Sequence, residues 1–318
     1  MINRRNFIKV AVAGGVVTCL PSVGGCGSIV GGVVENRNPG RALVVWYSQT
    51  GHTARIGKIV ADVWRQAGLQ VDAGDYRRIE FGAVGSYDLV AIGTPVFYMD
   101  VPENLRKWMT MLPSLKGVAV ASFVTFGGHG DGQRRTSAAL LESMAGRGGA
   151  PVGTGMFGNM STFAPTWSGG NSARTLKYRH LPNQNTFEDA ARFARQVLES
   201  VRSGRTILPA RGFGLDSVLA ALPQVSLMKM AMSDHHIDRD LCIACGECVR
   251  TCPVNAVPTL PGKVDSDRCI ACMGCVNNCP TGAMKMMFAG KSVYGFKQFL
   301  KNNQIEIAEP KLSTDPHL

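Results

Sequence analysis

The chain has 318 residues, of which 45% are hydrophobic and 18% are charged, and its formal net charge is +11. The length is enough for about two domains with extensions, and the composition is typical of a globular protein. Lys and Arg are scattered rather than clustered among aromatic residues. This distribution argues against nucleic-acid binding and favours a solvated basic surface.

Residues 1–20 have the pattern of an export signal. Arg4 and Arg5 lie in a short basic segment, and a weakly apolar stretch with two glycines follows over residues 10–20. The segment resembles the twin-arginine export motif. That resemblance implies export of a folded, cofactor-loaded protein to the periplasm or to the outer side of the cytoplasmic membrane. A cytoplasmic location is the alternative.

Cys26 follows Val23, Gly24 and Gly25, and this segment resembles a bacterial lipobox. The resemblance implies a lipidated Cys26 and attachment to a membrane. Ordinary cleavage nearby and an uncleaved anchor are the alternatives, and Cys19 is interpreted as a plain buried cysteine. Residues 24–40 are rich in Gly and read as a linker, so residues 1–40 form a signal and linker segment.

Residue 41 begins a different pattern, in which an apolar strand over residues 42–47 precedes a polar loop and then a helix that ends near Gly68. Hydroxyls and backbone N–H groups at a helix N-terminus favour an anion. The loop resembles the flavodoxin phosphate loop, S/T-x-T-G-x-T, which implies bound FMN. A capped helix that binds no ligand is the alternative. The candidate residues are Ser48, Gln49, Thr50, Gly51, His52 and Thr53.

Two further loops follow the predicted strands 87–93 and 118–124 at their carboxyl ends, where open α/β sheets bind ligands. Glycine lets the backbone approach a flat ring closely, and an aromatic side chain can stack on that ring. We favour Tyr98 as the ring contact, and core packing is the alternative for each aromatic. His129 either approaches the flavin edge or is a plain loop histidine, and we favour the loop histidine. The candidates are Thr94, Pro95, Val96, Phe97, Tyr98, Phe126, Gly127, Gly128 and His129.

The remaining pattern up to residue 203 alternates helices with strands, which predicts a doubly wound parallel sheet. The flavodoxin resemblance implies the strand order 2-1-3-4-5. Residues 158–186 form a long irregular insert that we expect near the flavin or under the C-terminal module. Residues 204–233 read as a connecting segment, and the tail from residue 288 to 318 is expected to wrap back over the body.

Eight cysteines form two copies of one spacing, C-x2-C-x2-C-x3-C-P, and residues 237–245 align with residues 264–272. Zinc sites and disulfides are the alternatives, but neither favours this spacing. The pattern resembles that of bacterial two-cluster ferredoxins and predicts a small α+β domain over residues 234–287. In that family the fourth cysteine of each run binds the other cluster. The resemblance therefore implies one [4Fe–4S] cluster on Cys242, Cys245, Cys248 and Cys279 and another on Cys269, Cys272, Cys275 and Cys252.

A flavodoxin-like domain over residues 41–203 that precedes a two-cluster ferredoxin domain resembles the flavodoxin–ferredoxin fusion proteins often labelled the EFR family. This resemblance implies electron transfer between FMN and two [4Fe–4S] clusters, in the service of an unidentified redox partner protein. One alternative is a flavin-dependent oxidoreductase that reduces a small molecule or quinone with electrons from the clusters. Another is a flavodoxin fold that binds no flavin.

Overall fold

The computed structural model describes residues 32–128, 131–209 and 223–310, and its larger module is built on a parallel five-stranded sheet. The strand order β2-β1-β3-β4-β5 confirms the predicted fold. All four neighbouring pairs are parallel. The strands are β1 (Arg41–Trp46), β2 (Gln70–Asp75), β3 (Leu89–Pro95), β4 (Ala119–Phe126) and β5 (Ala150–Gly158).

Helices cover both faces of this sheet, which is why its central strands are apolar along their whole length. In β1, Ala42, Val44 and Trp46 pack on one face, while Leu43 and Val45 pack on the other. Two short 3-10 helices occupy Tyr76–Arg78 and Phe81–Ser86. The main helices are α1 (His52–Gln66), α2 (Glu103–Thr110), α3 (Gly132–Ala145) and α6 (Gln184–Ser203).

β2 is the strand that the sequence pattern did not locate. It lies at the edge of the sheet and pairs only with β1 among the described strands. Its sequence, Gln-Val-Asp-Ala-Gly-Asp, is half-exposed and carries two acidic residues. Short, charged edge strands do not pair readily with other chains. The same acidic residues interrupt the apolar run by which a buried strand is recognised in the sequence.

The smaller module contains an antiparallel three-stranded sheet in the order β6-β7-β8. Its first strand begins at Met232, directly after the helix of the connecting segment. Two five-residue helices each contain the third cysteine of one run, Cys248 in the first and Cys275 in the second. The elements are α7 (Gln224–Ala231), β6 (Met232–Ile237), α8 (Glu247–Thr251), α9 (Gly274–Asn278), β7 (Met284–Phe288), β8 (Lys291–Ser292) and α10 (Phe296–Asn302).

The insert packs against the C-terminal tail and so connects the two modules. It contains two short helices, α4 (Pro165–Ser168) and α5 (Ser172–Leu176). The indole of Trp167 is buried, its centroid lies 4.6 Å from that of Phe299, and its Nε1 donates to the carbonyl of Tyr294 at 2.9 Å. The tail therefore returns over the body at the insert, as expected from the sequence.

Several predicted features lie outside the described residues, namely the export signal with Arg4 and Arg5, Cys19, Cys26 and His129. Within the part of the chain that the structure describes, none of the helices has both the length and the apolar character needed to cross a bilayer.

Candidate functional site

The loop after β1 leads into the N-terminus of α1. Gly51 precedes the helix with φ of +90°, a left-handed conformation that glycine adopts without steric cost. The first N–H groups of α1 have no partner within the helix, so they are available to an anion. Thr53 is fully buried, and its hydroxyl lies 2.8 Å from that of Thr125 at the end of β4. The loop is thereby tied to the carboxyl edge of the sheet.

A central cavity of about 280 Å³ opens over this loop. Three strand ends of the larger module, the insert, the connecting helix α7 and the second cysteine run all contribute to its wall. The lining residues are Ser48, Gln49, Thr50, His52, Thr53, Pro95, Val96, Phe97, Tyr98, Thr125, Phe126, Gly127, Asn159, Ser161, Thr162, Phe163, Met228 and Cys272.

Most of the predicted loop residues therefore come together at one place. Gly51 provides the left-handed backbone turn before α1, and Thr94 is buried in β3. Neither residue lines the cavity, nor does Gly128. The sequence did not single out Thr125 or Met228 as site residues. It placed the insert near the flavin or under the C-terminal module without assigning Phe163 or its other residues to the cavity wall. Cys272 was predicted only as a cluster ligand, so its position on the cavity wall is new.

Buried polar atoms without a hydrogen-bond partner mark the loop end of the central cavity. Among the described residues these include Ser48 Oγ, both ring nitrogens of His52, and Asn159 Oδ1. Burial, with a smaller contribution from the Arg55 guanidinium, lowers the pKa of His52 to about 3, so the ring is neutral at pH 7. Buried polar groups normally have partners. Their clustering at a helix N-terminus fits the phosphate of a bound nucleotide.

The apolar end of the cavity carries a ring of aromatic side chains. Tyr98 adopts φ of +49°, which is uncommon for an aromatic residue, and its ring meets that of Phe163 edge-on. Its hydroxyl donates to the carbonyl of Ala271 at 2.6 Å, and burial raises the pKa of this phenol. Phe97 and Phe126 complete the set. This end has the flat, apolar walls that suit a planar ring system.

The eight C-terminal cysteines are free thiols that line two small pockets. Each pocket takes three cysteines from one run and the fourth from the other. We call them the proximal cysteine pocket, lined by Cys252, Cys269, Cys272 and Cys275, and the distal cysteine pocket, lined by Cys242, Cys245, Cys248 and Cys279. This is the arrangement of side chains that the sequence resemblance implied.

The donor set in these pockets suits iron–sulfur clusters. Backbone N–H groups point at the sulfur atoms, and such hydrogen bonds stabilise the charge of cluster thiolates. A histidine ring also lies against one thiol, 3.3 Å from His235 Nε2 to Cys275 Sγ. The backbone donors are Ala256 to Cys252 at 3.2 Å, Ala271 to Cys269 at 3.4 Å and Met284 to Cys279 at 3.4 Å.

The two cysteine runs share a spacing but lie in different environments. Ile270, next to the first cysteine of the second run, is 7% exposed, whereas its counterpart Ile243 is 64% exposed. Cys275 is buried, whereas Cys245 is exposed to solvent. The proximal pocket therefore faces the larger module, and the distal pocket faces solvent.

Cys272 is the point at which the two sites meet. Its side chain lines the central cavity on one side and the proximal cysteine pocket on the other. A group bound in the cavity and a cluster bound in the proximal pocket would both contact this one side chain.

Two family models match the chain in agreement with this geometry. The flavodoxin model matches residues 44–162, and the model of the 4Fe-4S dicluster domain matches residues 235–286. No curated protein matches the chain.

Solved flavodoxins are similar to the larger module. An archaeal flavodoxin is 16% identical with a TM-score of 0.38, covering 51% of this chain and 99% of its own. The Streptococcus pneumoniae TIGR4 flavodoxin is 16% identical with a TM-score of 0.40, covering 50% and 98%. The two-electron reduced flavodoxin of Megasphaera elsdenii is 20% identical with a TM-score of 0.37, covering 51% and 98%.

The strand order, the central cavity, the two cysteine pockets and the two family matches agree with one another. The chain contains a flavodoxin domain followed by a 4Fe-4S dicluster domain, its cofactors are FMN and two [4Fe–4S] clusters, and its general function is electron transfer.

Proposed function

We propose that the protein conducts electrons within one chain, between the distal cysteine pocket at the surface and the central cavity, and serves a redox partner protein. The position of Cys272 on the wall of both the cavity and the proximal pocket carries this proposal. When bound, the clusters exchange single electrons and FMN accepts one or two, so the set interconverts one- and two-electron chemistry.

The residues of the flavodoxin domain divide the FMN site into a polar end and an aromatic end. We infer that the loop from Ser48 to Thr53 holds the phosphate, since Ser48 Oγ and both ring nitrogens of His52 are buried and lack hydrogen-bond partners among the described residues. Phe97, Tyr98 and Phe126 would bound the ring, with Phe163 of the insert. His52 is neutral at pH 7, so the loop would bind the phosphate mainly through dipoles.

Each cysteine pocket would hold one cluster through four thiolates. Cys252, Cys269, Cys272 and Cys275 would hold the proximal cluster, and the other four cysteines the distal cluster. The apolar shell of the proximal pocket, which includes Ile270 and Met273, keeps water from its thiolates. The exposed Cys245 and Ile243 instead form a surface where a partner protein would dock.

The alternative, a flavin enzyme that reduces a small molecule or quinone, requires free space above the flavin ring. Met228 and Cys272 line the central cavity on the side of the smaller module, and the hydroxyl of Tyr98 is bonded there to the Ala271 carbonyl. The side of the cavity from which a substrate would approach the flavin is thus occupied by the dicluster domain. This arrangement favours electron transfer over substrate reduction.

The deciding experiment quantifies cofactors and follows internal reduction. Protein purified anaerobically should contain iron–sulfur absorption and release stoichiometric FMN on denaturation. The Cys245→Ala variant should retain FMN but lose the distal cluster, and a protein donor should then reduce its flavin more slowly than in the wild type. Iron–sulfur absorption without FMN, or an unchanged rate of flavin reduction in the variant, would refute electron transfer from the distal cluster to FMN.

We further propose that the chain is an exported member of the EFR-type flavodoxin–ferredoxin proteins. The support is the basic N-terminal segment with Arg4 and Arg5 together with cofactors that favour export of a folded protein. The double substitution Arg4→Lys with Arg5→Lys should keep the protein in the cytoplasm, as measured by cell fractionation. Unchanged export of this variant would show that the segment is not a twin-arginine signal.

Membrane attachment through Cys26 is a separate proposal, supported by the small residues that precede this cysteine. Lipidation would anchor the exported protein beside a membrane-bound partner. The Cys26→Ser variant should move from the membrane fraction to the soluble fraction, and retention at the membrane would exclude Cys26 as the anchor.

A further inference from the structure

Gln49 lies in the phosphate loop, yet its side chain is bonded entirely to the dicluster domain. It is 7% exposed, its Nε2 donates to the carbonyl of Cys272, and its Oε1 accepts from Asn277 Nδ2 at 3.2 Å. Its backbone carbonyl accepts from Asn278 Nδ2 at 2.9 Å. Three residues of the second cysteine run therefore fix one residue of the flavodoxin domain.

The bond from Asn278 acts on the peptide that joins Gln49 to Thr50. A peptide is planar and trans, so its N–H points away from its carbonyl oxygen. When Asn278 holds the Gln49 carbonyl, it also sets the direction of the Thr50 N–H. This N–H belongs to the loop that we assign to the FMN phosphate, so Asn278 controls a phosphate donor from outside the central cavity.

Asn278 is itself held rigidly. Its side chain is 7% exposed, and its Nδ2 also donates to the Gly274 carbonyl at 2.9 Å within α9. Gly274 packs against Gln49 so closely that an added Cβ would lie 3.0 Å from Gln49 Cγ. The neighbouring Asn277 donates to the Thr162 carbonyl at 2.9 Å and so reaches the cavity wall from the insert side. The contact is closely packed and hydrogen-bonded, so we expect the phosphate loop to move only together with α9.

We propose that Asn278 is a positioning residue for the FMN phosphate and that the dicluster domain thereby raises the FMN affinity of the flavodoxin domain. This inference rests on the proposed function, because it takes the loop from Ser48 to Thr53 as the phosphate site. Coupling between two binding sites is reciprocal. Bound FMN therefore also stabilises the proximal pocket, through the bond from Gln49 to the Cys272 carbonyl.

The first test compares FMN with riboflavin, which lacks the phosphate, by fluorescence titration of cluster-loaded protein. In Asn278→Ala and in Asn278→Leu, which keeps a branch at Cγ, FMN should bind about 10-fold more weakly, the factor expected from one or two lost hydrogen bonds. Riboflavin affinity should change by less than about 2-fold. The matched control is Asn303→Ala, since among the described residues Asn303 Nδ2 bonds only at its own helix end, to the Phe299 carbonyl at 2.8 Å.

The outcomes separate this inference from the proposed function. Unchanged FMN affinity in both Asn278 variants, or an equal loss for FMN and riboflavin, would overturn the positioning role while leaving the electron relay intact. Failure of the wild-type protein to bind FMN at all would instead overturn the proposed function.

A second test uses only the wild-type protein, so it does not depend on how the variants fold. The rate at which a chelator removes iron is measured with saturating FMN and with saturating riboflavin. Several-fold slower iron loss in FMN supports the coupling, and equal rates in the two ligands contradict it.

Discussion

At the scale of the residue, His52 shows how burial sets the protonation of a side chain in the loop after β1. Its ring meets Phe296 of the smaller module with centroids 5.8 Å apart, and its nitrogens lack partners among the described residues. Burial lowers its pKa to about 3. The folded protein thus keeps His52 neutral at pH values where an unfolded chain would protonate it, since the ordinary pKa is about 6.5.

This difference predicts an acid-sensitive stability. Between pH 6.5 and pH 3 the unfolded state binds more protons than the folded state, so stability falls as the pH falls. For FMN-free protein taken from pH 7.5 to 5.5, the wild type should lose about 1.4 kcal/mol more unfolding free energy than His52→Asn. Urea titrations at both pH values measure this, and equal losses would mean that His52 protonates normally when folded.

Gly127 illustrates why a glycine is needed at the end of β4. A Cβ added there would lie 2.3 Å from the backbone N of Ser161, which belongs to the cavity wall. Gly127→Ala should displace that wall, reduce stability by about 1–3 kcal/mol and weaken FMN binding. Gly82→Ala is the control, because no atom of the part of the chain that the structure describes lies within 4 Å of a Cβ at that position. Equal FMN affinity in the two variants would contradict the close approach.

The sequence pattern located the loop after β1 and both cysteine runs because local spacing encodes them. It did not predict that Cys272 also lines the central cavity or that Asn278 holds the Gln49 carbonyl. Both features arise where two domains meet, and residues far apart in the chain leave no periodic or spaced pattern when they come together there. The position of Met228 on the cavity wall was not predicted for the same reason.

At the scale of the element, the insert is the main addition to the doubly wound sheet. Its Trp167 is 2% exposed and packs on Phe299 of α10, while its N–H satisfies the Tyr294 carbonyl. The short helices α4 and α5 would be marginal in isolation. Their order derives from this contact with the C-terminal tail.

The contact predicts a graded response at Trp167. Trp167→Ala should destabilise the protein by about 3–5 kcal/mol, since it leaves a cavity between the modules. Trp167→Phe keeps an aromatic ring and loses mainly the hydrogen bond, which corresponds to about 1 kcal/mol. Denaturant unfolding measures both variants, and similar losses in the two would indicate that ring packing contributes little.

Element positions followed from the sequence where the pattern was strong. The buried strands β1, β3 and β4 and the end of α1 were predicted close to their observed bounds. The edge strand β2 was not predicted because its half-exposed, acidic sequence lacks an apolar run. The two helices of the insert escaped because four or five residues are too few to show a period.

At the scale of the whole molecule, the two domains are joined by buried polar contacts rather than by a linker alone. Gln49, Tyr98 and Trp167 each bond across the boundary, to Cys272, Ala271 and Tyr294 respectively. Buried polar contacts of this kind fix one relative orientation, because a shifted arrangement would leave their groups unsatisfied. The flavodoxin domain is thus held at the proximal pocket and the distal pocket is left at the surface.

The exposure of Cys245 also makes one cluster site a target for oxidative damage. Dissolved oxygen and peroxide reach exposed thiolates first, whereas Cys275 on the proximal side is buried. During exposure to air, iron should therefore leave the distal pocket before the proximal pocket, a sequence that spectroscopy of the two clusters would resolve. Loss of the distal cluster would then interrupt the proposed electron path at the surface of the protein, while the flavin and the proximal cluster stay bound.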